Sequence, residues 1–494
     1  MEHRWPRRSA QAVARALSGH ATLGLAAAAI LYILTLSGTI LVVDQALQRW
    51  EQPAVPETAA AAPQAVARAA KAALAQAPDP GHHLFVRLPS AELPRLVVTT
   101  DHGAWFADAH GRLLAPERHP FTQFVLDLHY YLHLPAAGGL VVVGLFGVIM
   151  VALAVSGLLA HPRIFRDAFR LRLGAGPRLF WADIHNRLSV WTAPFHIAVS
   201  LSGAVLGLTS LAALGIAALG PAQQVDAVFE PVFGAEPAAD PQPAPLADIA
   251  AALRLMAQRF ADTRPAYVIV HEPGTGGQHL QILAEQPFDL GFGEYYVFDA
   301  AGQFTGRVGM TDGTVGQQAI ASMYRLHFGS FAGWPVKLAY LVFGALMTLI
   351  ICSGLSLFFA RKQAQGQPLP RAAAAWSGLV WGVPAMFAVL LFTARAGLTQ
   401  TGLASAFWIG LIGLLAVCSA APRRATQIRR LLQSLVAIAL FAAAGIAVAE
   451  AGPAVWPVTL SWVGLAGLFA VAAARGHGRQ APATRPSAVP VERA

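Results

Sequence analysis

The sequence predicts a mainly α-helical, polytopic membrane protein of eight transmembrane helices, the first four a tandem duplication, with two α+β domains in its long loops. Three observations predict it. Of 494 residues, 55% are hydrophobic and only 12% charged, whereas globular chains carry about 25% charged residues. The apolar residues gather in runs that reach the roughly 20 residues needed to cross a bilayer. Finally, a Ser-Gly pair recurs in each of the first four runs, at 37–38, 156–157, 202–203 and 353–354, with histidines in step.

The eight apolar segments are roughly 20–43, 137–160, 188–215, 335–359, 376–396, 402–420, 431–450 and 455–474. Arginine sets their orientation. Arg4, Arg7, Arg8 and Arg15 precede the first segment; Arg163, Arg166, Arg170, Arg172 and Arg178 separate the second and third. Arg361, Lys362 and Arg371 follow the fourth, Arg423, Arg424, Arg429 and Arg430 the sixth, and Arg475 and Arg479 the eighth. All fall on one side of an eight-helix arrangement with both termini inside, whereas the short loops 397–401 and 451–454 carry no Lys or Arg. That is the positive-inside pattern. The N-terminal run from Ala21 to Val43 is too long for a signal-peptide core, so it reads as an uncleaved first helix.

Two long segments, 44–128 and 218–326, remain outside. Each opens with Pro/Ala-rich linker, passes through a helix-like stretch (Ala59 to Ala75; Leu246 to Ala261) and turns to short strands. DAHG at 108–111 and DAAG at 299–302 supply the Asp/Gly chemistry of tight hairpins. The predicted organisation is therefore 1–43 (N-terminal segment and first helix), 44–128 (outside domain), 129–217 (second helix, basic loop, third helix), 218–326 (outside domain), 327–362 (fourth helix) and 363–494 (four more helices and a tail).

Composition also excludes. The net charge of +9 sits next to apolar runs, which fits membrane topology and not nucleic-acid binding. The two cysteines, Cys352 and Cys418, lie in apolar runs without CxxC or CxxCH. Covalent haem, a zinc ribbon and a dithiol redox motif are thereby ruled out.

The duplication can be counted. His20 lies 17 residues before Ser37 and His185 17 before Ser202; His129 lies 27 before Ser156 and His327 26 before Ser353. A shift of 165 residues superposes the first helix on the third, and one of 197–198 the second on the fourth. Parallel repeats put equivalent residues at equivalent depths. The Ser-Gly pairs have two readings: small residues that let helices pack closely, or glycines that let a flat macrocycle lie against the backbone.

The histidines then sort into an inner level (His20 and His185, with His161 or His196) and an outer level (His129 or His133, with His327). His196 is 11 residues past His185, which on one continuous helix puts both on one face about 16 Å apart. Two imidazoles facing one another from different helices are what a low-spin haem iron needs. An ionisable group at that depth is a functional candidate by default. Metal transport competes, but no Asp or Glu lies clearly within a span, and cation paths normally use such carboxylates.

At GHATLGL…LTLSGTILV, DLHYYLHLP…GLFGVIMVALAVSGLLAHPR, DIHNRLSVWTAPFHIAVSLSGAVLGL and YRLHFGSFAGWPVKLAYLVFGALMTLIICSGLSLFFARK, the chain resembles the PepSY-associated transmembrane family, which includes inner-membrane ferric-siderophore reductases. The outside segments look like PepSY units, most clearly at FADAHGRLL and YVFDAAGQFTGR. The resemblance covers about residues 10–362, and DIHNRLSVWTAPFHIAVSLSG is its most specific part. It implies a bacterial inner-membrane protein, both termini cytoplasmic and two periplasmic domains. Two b-type haems would carry electrons across the membrane and release iron from a ferric siderophore as Fe(II). Carried over, His20, His129, His133, His185, His196 and His327 are the candidate ligands. The four helices after residue 376 depart from that pattern and hold no histidine. No GxGxxG follows a strand, so electrons would enter from a membrane quinol or a cytoplasmic partner. The competing readings are a non-enzymatic PepSY sensor or accessory protein and an iron or siderophore permease.

Overall fold

Helix α1 (Ala10–Leu41) starts where the Ser9 side chain caps the Ala12 amide, and runs 32 residues without a charged residue after Arg15. It is the first element of a computed structural model that describes residues 9–77, 79, 81–160, 176–219, 225–234, 240–286, 290–291, 293–451 and 456–475. His161 and most of the inner-loop arginines lie outside the described residues. The chain divides into two units, Met1–Pro368 with Ala394–Ala404, and Leu369–Thr393 with Ser405–Ala494.

In the first unit a short helix α2 (Asp44–Glu51) follows α1, then α3 (Pro63–Leu74), β1 (His83–Arg87), β2 (Leu96–Thr100), β3 (Gly103–Ala107), β4 (Leu113–Pro116), α4 (Pro120–Tyr131) and α5 (Ala136–Leu159). The second copy runs α6 (Pro177–Trp191), α7 (Ala193–Leu219), α8 (Val225–Phe233), α9 (Ile249–Arg259), β5 (Arg264–His271), β6 (His279–Glu285), β7 (Glu294–Phe298), β8 (Phe304–Val308), α10 (Val315–Phe328) and α11 (Gly333–Ala364).

The structure changes the expected organisation in three ways. First, the outside segments are not two domains. Their strands form one antiparallel sheet in the order β4-β3-β2-β1-β5-β6-β7-β8. The seam is β1 against β5, in register from His83↔His271 to Arg87↔Tyr267. Each half alone would leave an edge row of unpaired backbone groups, and the seam covers both. Strand alternation sends Leu84, Val86, Val270, Leu280 and Ile282 to one face, where they bury against α3 and α9 in a shared core. The hairpin turns form as their Asp/Gly residues predict: Gly111 N–H donates to Asp108 O, and Gly302 N–H to Asp299 O.

Second, the apolar segment 188–215 is not one helix. α6 ends at Thr192, whose hydroxyl donates to Leu188 O, and α7 starts at Ala193. His185 and His196 therefore sit on different helices. His129 and His327 likewise sit on α4 and α10, separated from the spans that follow by left-handed residues: Leu132 and His133 (φ 53° and 58°) and Gly329 (φ 63°). Local apolar content cannot show such breaks, because both sides of each are equally hydrophobic.

Third, among the described residues seven of the eight expected segments form helices long and apolar enough to cross a membrane. Four are α1, α5, α7 and α11. The other three are α12 (Pro370–Arg395), α13 (Gln400–Ala420) and α14 (Ala425–Ala451), the last continuing a short turn from Pro422. The eighth predicted segment forms α15 (Trp456–Arg475), whose apolar stretch Thr459–Ala474 is shorter. Within the second unit, Phe387 stacks on Phe407 at 5.7 Å and Gly378 lets α12 approach Cys418.

Candidate functional site

The four Ser-Gly pairs each receive one histidine. His129 Nδ1 lies 3.0 Å from Leu34 O and 3.3 Å from Ser37 Oγ. His20 Nδ1 lies 3.1 Å from Leu153 O and 3.2 Å from Ser156 Oγ. His327 Nδ1 lies 3.0 Å from Val199 O and 3.2 Å from Ser202 Oγ. His185 Nδ1 lies 3.0 Å from Ile350 O and 3.2 Å from Ser353 Oγ. In each case the carbonyl is three residues before the serine, whose own hydroxyl donates back to that carbonyl.

A carbonyl oxygen only accepts, so Nδ1 carries the proton in all four rings. Nε2 is then the unprotonated nitrogen. Fixing the tautomer through Nδ1–H···O=C is how metal-binding histidines are oriented.

The glycines do something neither sequence reading foresaw. A Cβ at Gly38 would lie 2.6 Å from His129 Cε1; at Gly203, 2.8 Å from His327; at Gly354, 3.1 Å from His185; at Gly157, 3.3 Å from His20. Each glycine clears space for an imidazole. Close helix crossing falls to other residues: a Cβ at Gly144 of α5 would meet the Gly207 carbonyl carbon of α7 at 2.9 Å.

The cradles are reciprocal within a repeat. α1 holds the histidine of α4, and α5 holds that of α1; likewise α7 holds the histidine of α10, and α11 holds that of α6. The facing pairs form between repeats. His129 and His327 have ring centroids 6.2 Å apart at an interplanar angle of 27°, and His20 and His185 are 6.1 Å apart at 69°. Two metal–nitrogen bonds of about 2 Å, plus about 1.1 Å from each nitrogen to its ring centre, require about 6 Å. Both centroid separations match this. Along α1 the two levels are about 25 Å apart, from the 1.5 Å rise per residue.

At the outer level a cavity of about 380 Å³ opens against both His129 and His327. Its wall is mostly apolar, from Leu31, Leu34, Phe195 and Met347, with Asp44, Tyr130 and Tyr324 as polar members. This is the mixture of apolar lining and few polar groups that binds cofactors.

The remaining candidates are not brought into the pairs. His133 Nε2 donates to Phe124 O at 2.9 Å and its ring packs on Phe124, so it closes the end of α4. His196 Nε2 lies 2.8 Å from Thr192 Oγ1, and its buried ring serves the α6–α7 break. The carbonyls of Leu34, Leu153, Val199 and Ile350 were not legible as participants. The signal that pointed nearest to them is the repeated step from each histidine to the next Ser-Gly pair, 17 residues for His20 and His185 and 27 and 26 for His129 and His327.

Fold and site together define a multi-pass membrane protein in which duplicated helices present cradled histidines in facing pairs. The match to the PepSY-associated TM region over residues 17–361 places the chain in that family. It is also 28% identical over 372 residues to a Pseudomonas aeruginosa chain described as "Uncharacterized protein PA4219", covering 72% of this chain and 87% of that one.

Proposed function

We propose that this protein is a transmembrane oxidoreductase carrying two b-type haems, one between His129 and His327 and the other between His20 and His185. The observation that carries the reading is the cradle, built four times, that leaves Nε2 free on paired imidazoles at the spacing iron requires. Bound there, haem iron supplies one-electron Fe(III)/Fe(II) chemistry.

The chain's own residues do the rest. Nδ1–H bonding to carbonyl and serine strengthens each imidazole as a donor and fixes its plane. Burial keeps water off the ligand bonds, and Asp44, Tyr130 and Tyr324 give the outer cavity its polar margin. In this reading α15 is an eighth span, the arginine-bearing loops and both termini face the cytoplasm, and the sheet domain is periplasmic. Electrons enter from a quinol or cytoplasmic partner and leave at the outer level to a ferric siderophore, freeing Fe(II). The sheet domain flanks that level, where it would shape access for a bulky chelate.

The test is direct. Protein purified from haem-replete cells is red, with a reducible Soret band and about two haems per chain by pyridine haemochrome. A colourless, folded preparation sinks the reading and leaves the accessory-protein alternative. With haem present, dithionite-reduced protein should be reoxidised by a ferric siderophore, with Fe(II) trapped by ferrozine. Failure there removes the acceptor while leaving the haems.

A further inference from the structure

Across the seam of the sheet lies a second set of histidines that electron transfer does not use. The register places His83 of β1 directly opposite His271 of β5, and His271 directly opposite His279 of β6. Their neighbours Leu84, Val270 and Leu280 point into the core under α3 and α9. By strand alternation the three imidazoles therefore share the other face, the one free of those helices. His83 and His271 have ring centroids 5.7 Å apart, and His271 and His279 stack at 4.4 Å with planes 5° apart.

Two carboxylates stand behind the row. Asp101 Oδ1 is 3.2 Å from His83 Nδ1, and Asp101 Oδ2 accepts from the His82 and His83 amides. Glu272, next to His271, places Oε1 2.8 Å from His82 Nδ1 and holds a left-handed backbone, φ 50°. A non-glycine residue in that region is strained and persists where its surroundings demand it. His279 Nδ1 is buried and has no hydrogen-bond partner among the described residues. An unpartnered buried nitrogen is costly unless something else occupies it.

We propose that His83, His271 and His279, oriented by Asp101, form a binding site for one divalent first-row transition-metal ion on the face of the sheet opposite α3 and α9. The rings are not closed onto one point in this structure. Neighbouring members of the row have Cβ atoms about 4.5–5.5 Å apart, the outer two are about 9.5 Å apart across β5, and with metal–nitrogen bonds of about 2.0–2.1 Å an ion over the central His271 is within reach of all three rings once their side chains rotate toward it. Imidazole donors suit Zn²⁺, Fe²⁺, Ni²⁺, Co²⁺ and Cu²⁺ and disfavour Mg²⁺ and Ca²⁺. The carboxylate on His83 Nδ1 is the arrangement that orients and strengthens a metal-binding histidine. The site does not depend on haem. If the proposed reductase activity holds, its Fe(II) product falls in this class, and the row would be a first stop for released metal.

The test uses the full-length, haem-replete protein purified through a tag without histidines. Titration with Co²⁺, followed by its visible d–d absorption and by displacement with Zn²⁺, should show one specific site per chain. His271→Ala with His279→Ala should weaken binding at least tenfold, Asp101→Asn about tenfold, and His110→Ala, at the distant β3–β4 turn, not at all. Haem content, measured in parallel, should stay constant. Co²⁺ titrations that are the same for wild type and the double variant overturn the proposal, as does saturation by Mg²⁺ at equal concentration. Should the double alanine variant misfold, His279→Gln removes the orphaned nitrogen alone and must still lower affinity. A colourless, folded wild-type protein that still binds one Co²⁺, weakened by the double variant, would support this site and count against the reductase reading alone.

Discussion

The two histidine pairs are built from the same parts and end in different geometries. Both use one histidine from each repeat, Nδ1 shared between a carbonyl and a serine, and a glycine under the ring. At the outer level the glycines are tight (2.6 and 2.8 Å to an added Cβ) and the imidazole planes lie 27° apart. At the inner level they are looser (3.3 and 3.1 Å) and the planes lie 69° apart. The difference teaches that a cradle fixes a tautomer, while the backbone carrying the ring sets its angle. The outer histidines sit on short helices ended by left-handed residues. The inner ones sit on helices that run on, through α1 or up to Thr192.

The largest expected effect breaks the comparison outright. His129→Ala and His327→Ala should each remove the same one of two haems, and His20→Ala and His185→Ala the other, by haem content and reduced-minus-oxidised spectra. If all four bleached a single species equally, the two-level arrangement would fail. His133→Ala and His196→Ala should leave both haems in place, since each ring is bonded to its own helix break.

Next in size is the glycine series. Gly38→Ala and Gly203→Ala, with no room for a Cβ, should perturb or empty the outer site, and Gly157→Ala should be the mildest. Equal losses at Gly38 and Gly157 would show that close approach does not matter. Smaller again is the difference in ring angle. Low-spin ferric haem with nearly parallel imidazoles gives an ordinary rhombic electron-paramagnetic-resonance signal, and nearly perpendicular imidazoles give a highly anisotropic one. His327→Ala should remove the former and His185→Ala the latter.

The smallest effect compares the halves of the sheet. The Arg112 amide and guanidinium, with the His110 amide, hold the Asp108 carboxyl down at about 2. Its contribution to stability is therefore complete above the ordinary aspartate range, near 4, and is lost as pH falls through about 2. Asp108→Asn should flatten that part of the acid-unfolding curve, followed by far-ultraviolet circular dichroism.

Much of this was legible because it is written in counts along the chain. Equal steps from histidine to Ser-Gly pair revealed the duplication and sorted the histidines into two levels, His20 and His185 with His161 or His196, and His129 or His133 with His327. Apolar runs marked the membrane helices, and Asp/Gly turns marked the hairpins. What stayed hidden was whatever depends on a partner distant in sequence. The β1–β5 seam joins residues almost 190 apart, and an edge strand looks the same in sequence whether or not another half will cover it. The breaks at Leu132 and Thr192 interrupt stretches whose hydrophobicity does not change. The role of the glycines depended on which side chain would lie against them.

By itself, then, the sequence determined the membrane class, the repeat and the depth of each histidine, because hydropathy and spacing are local quantities. Only the tertiary structure decided that the outside segments share one sheet, that His133 and His196 serve helix ends, and that His129 meets His327 and His20 meets His185. Those outcomes follow from packing two copies face to face. One repeat can cradle a histidine at each level, but it cannot supply that histidine's opposite number.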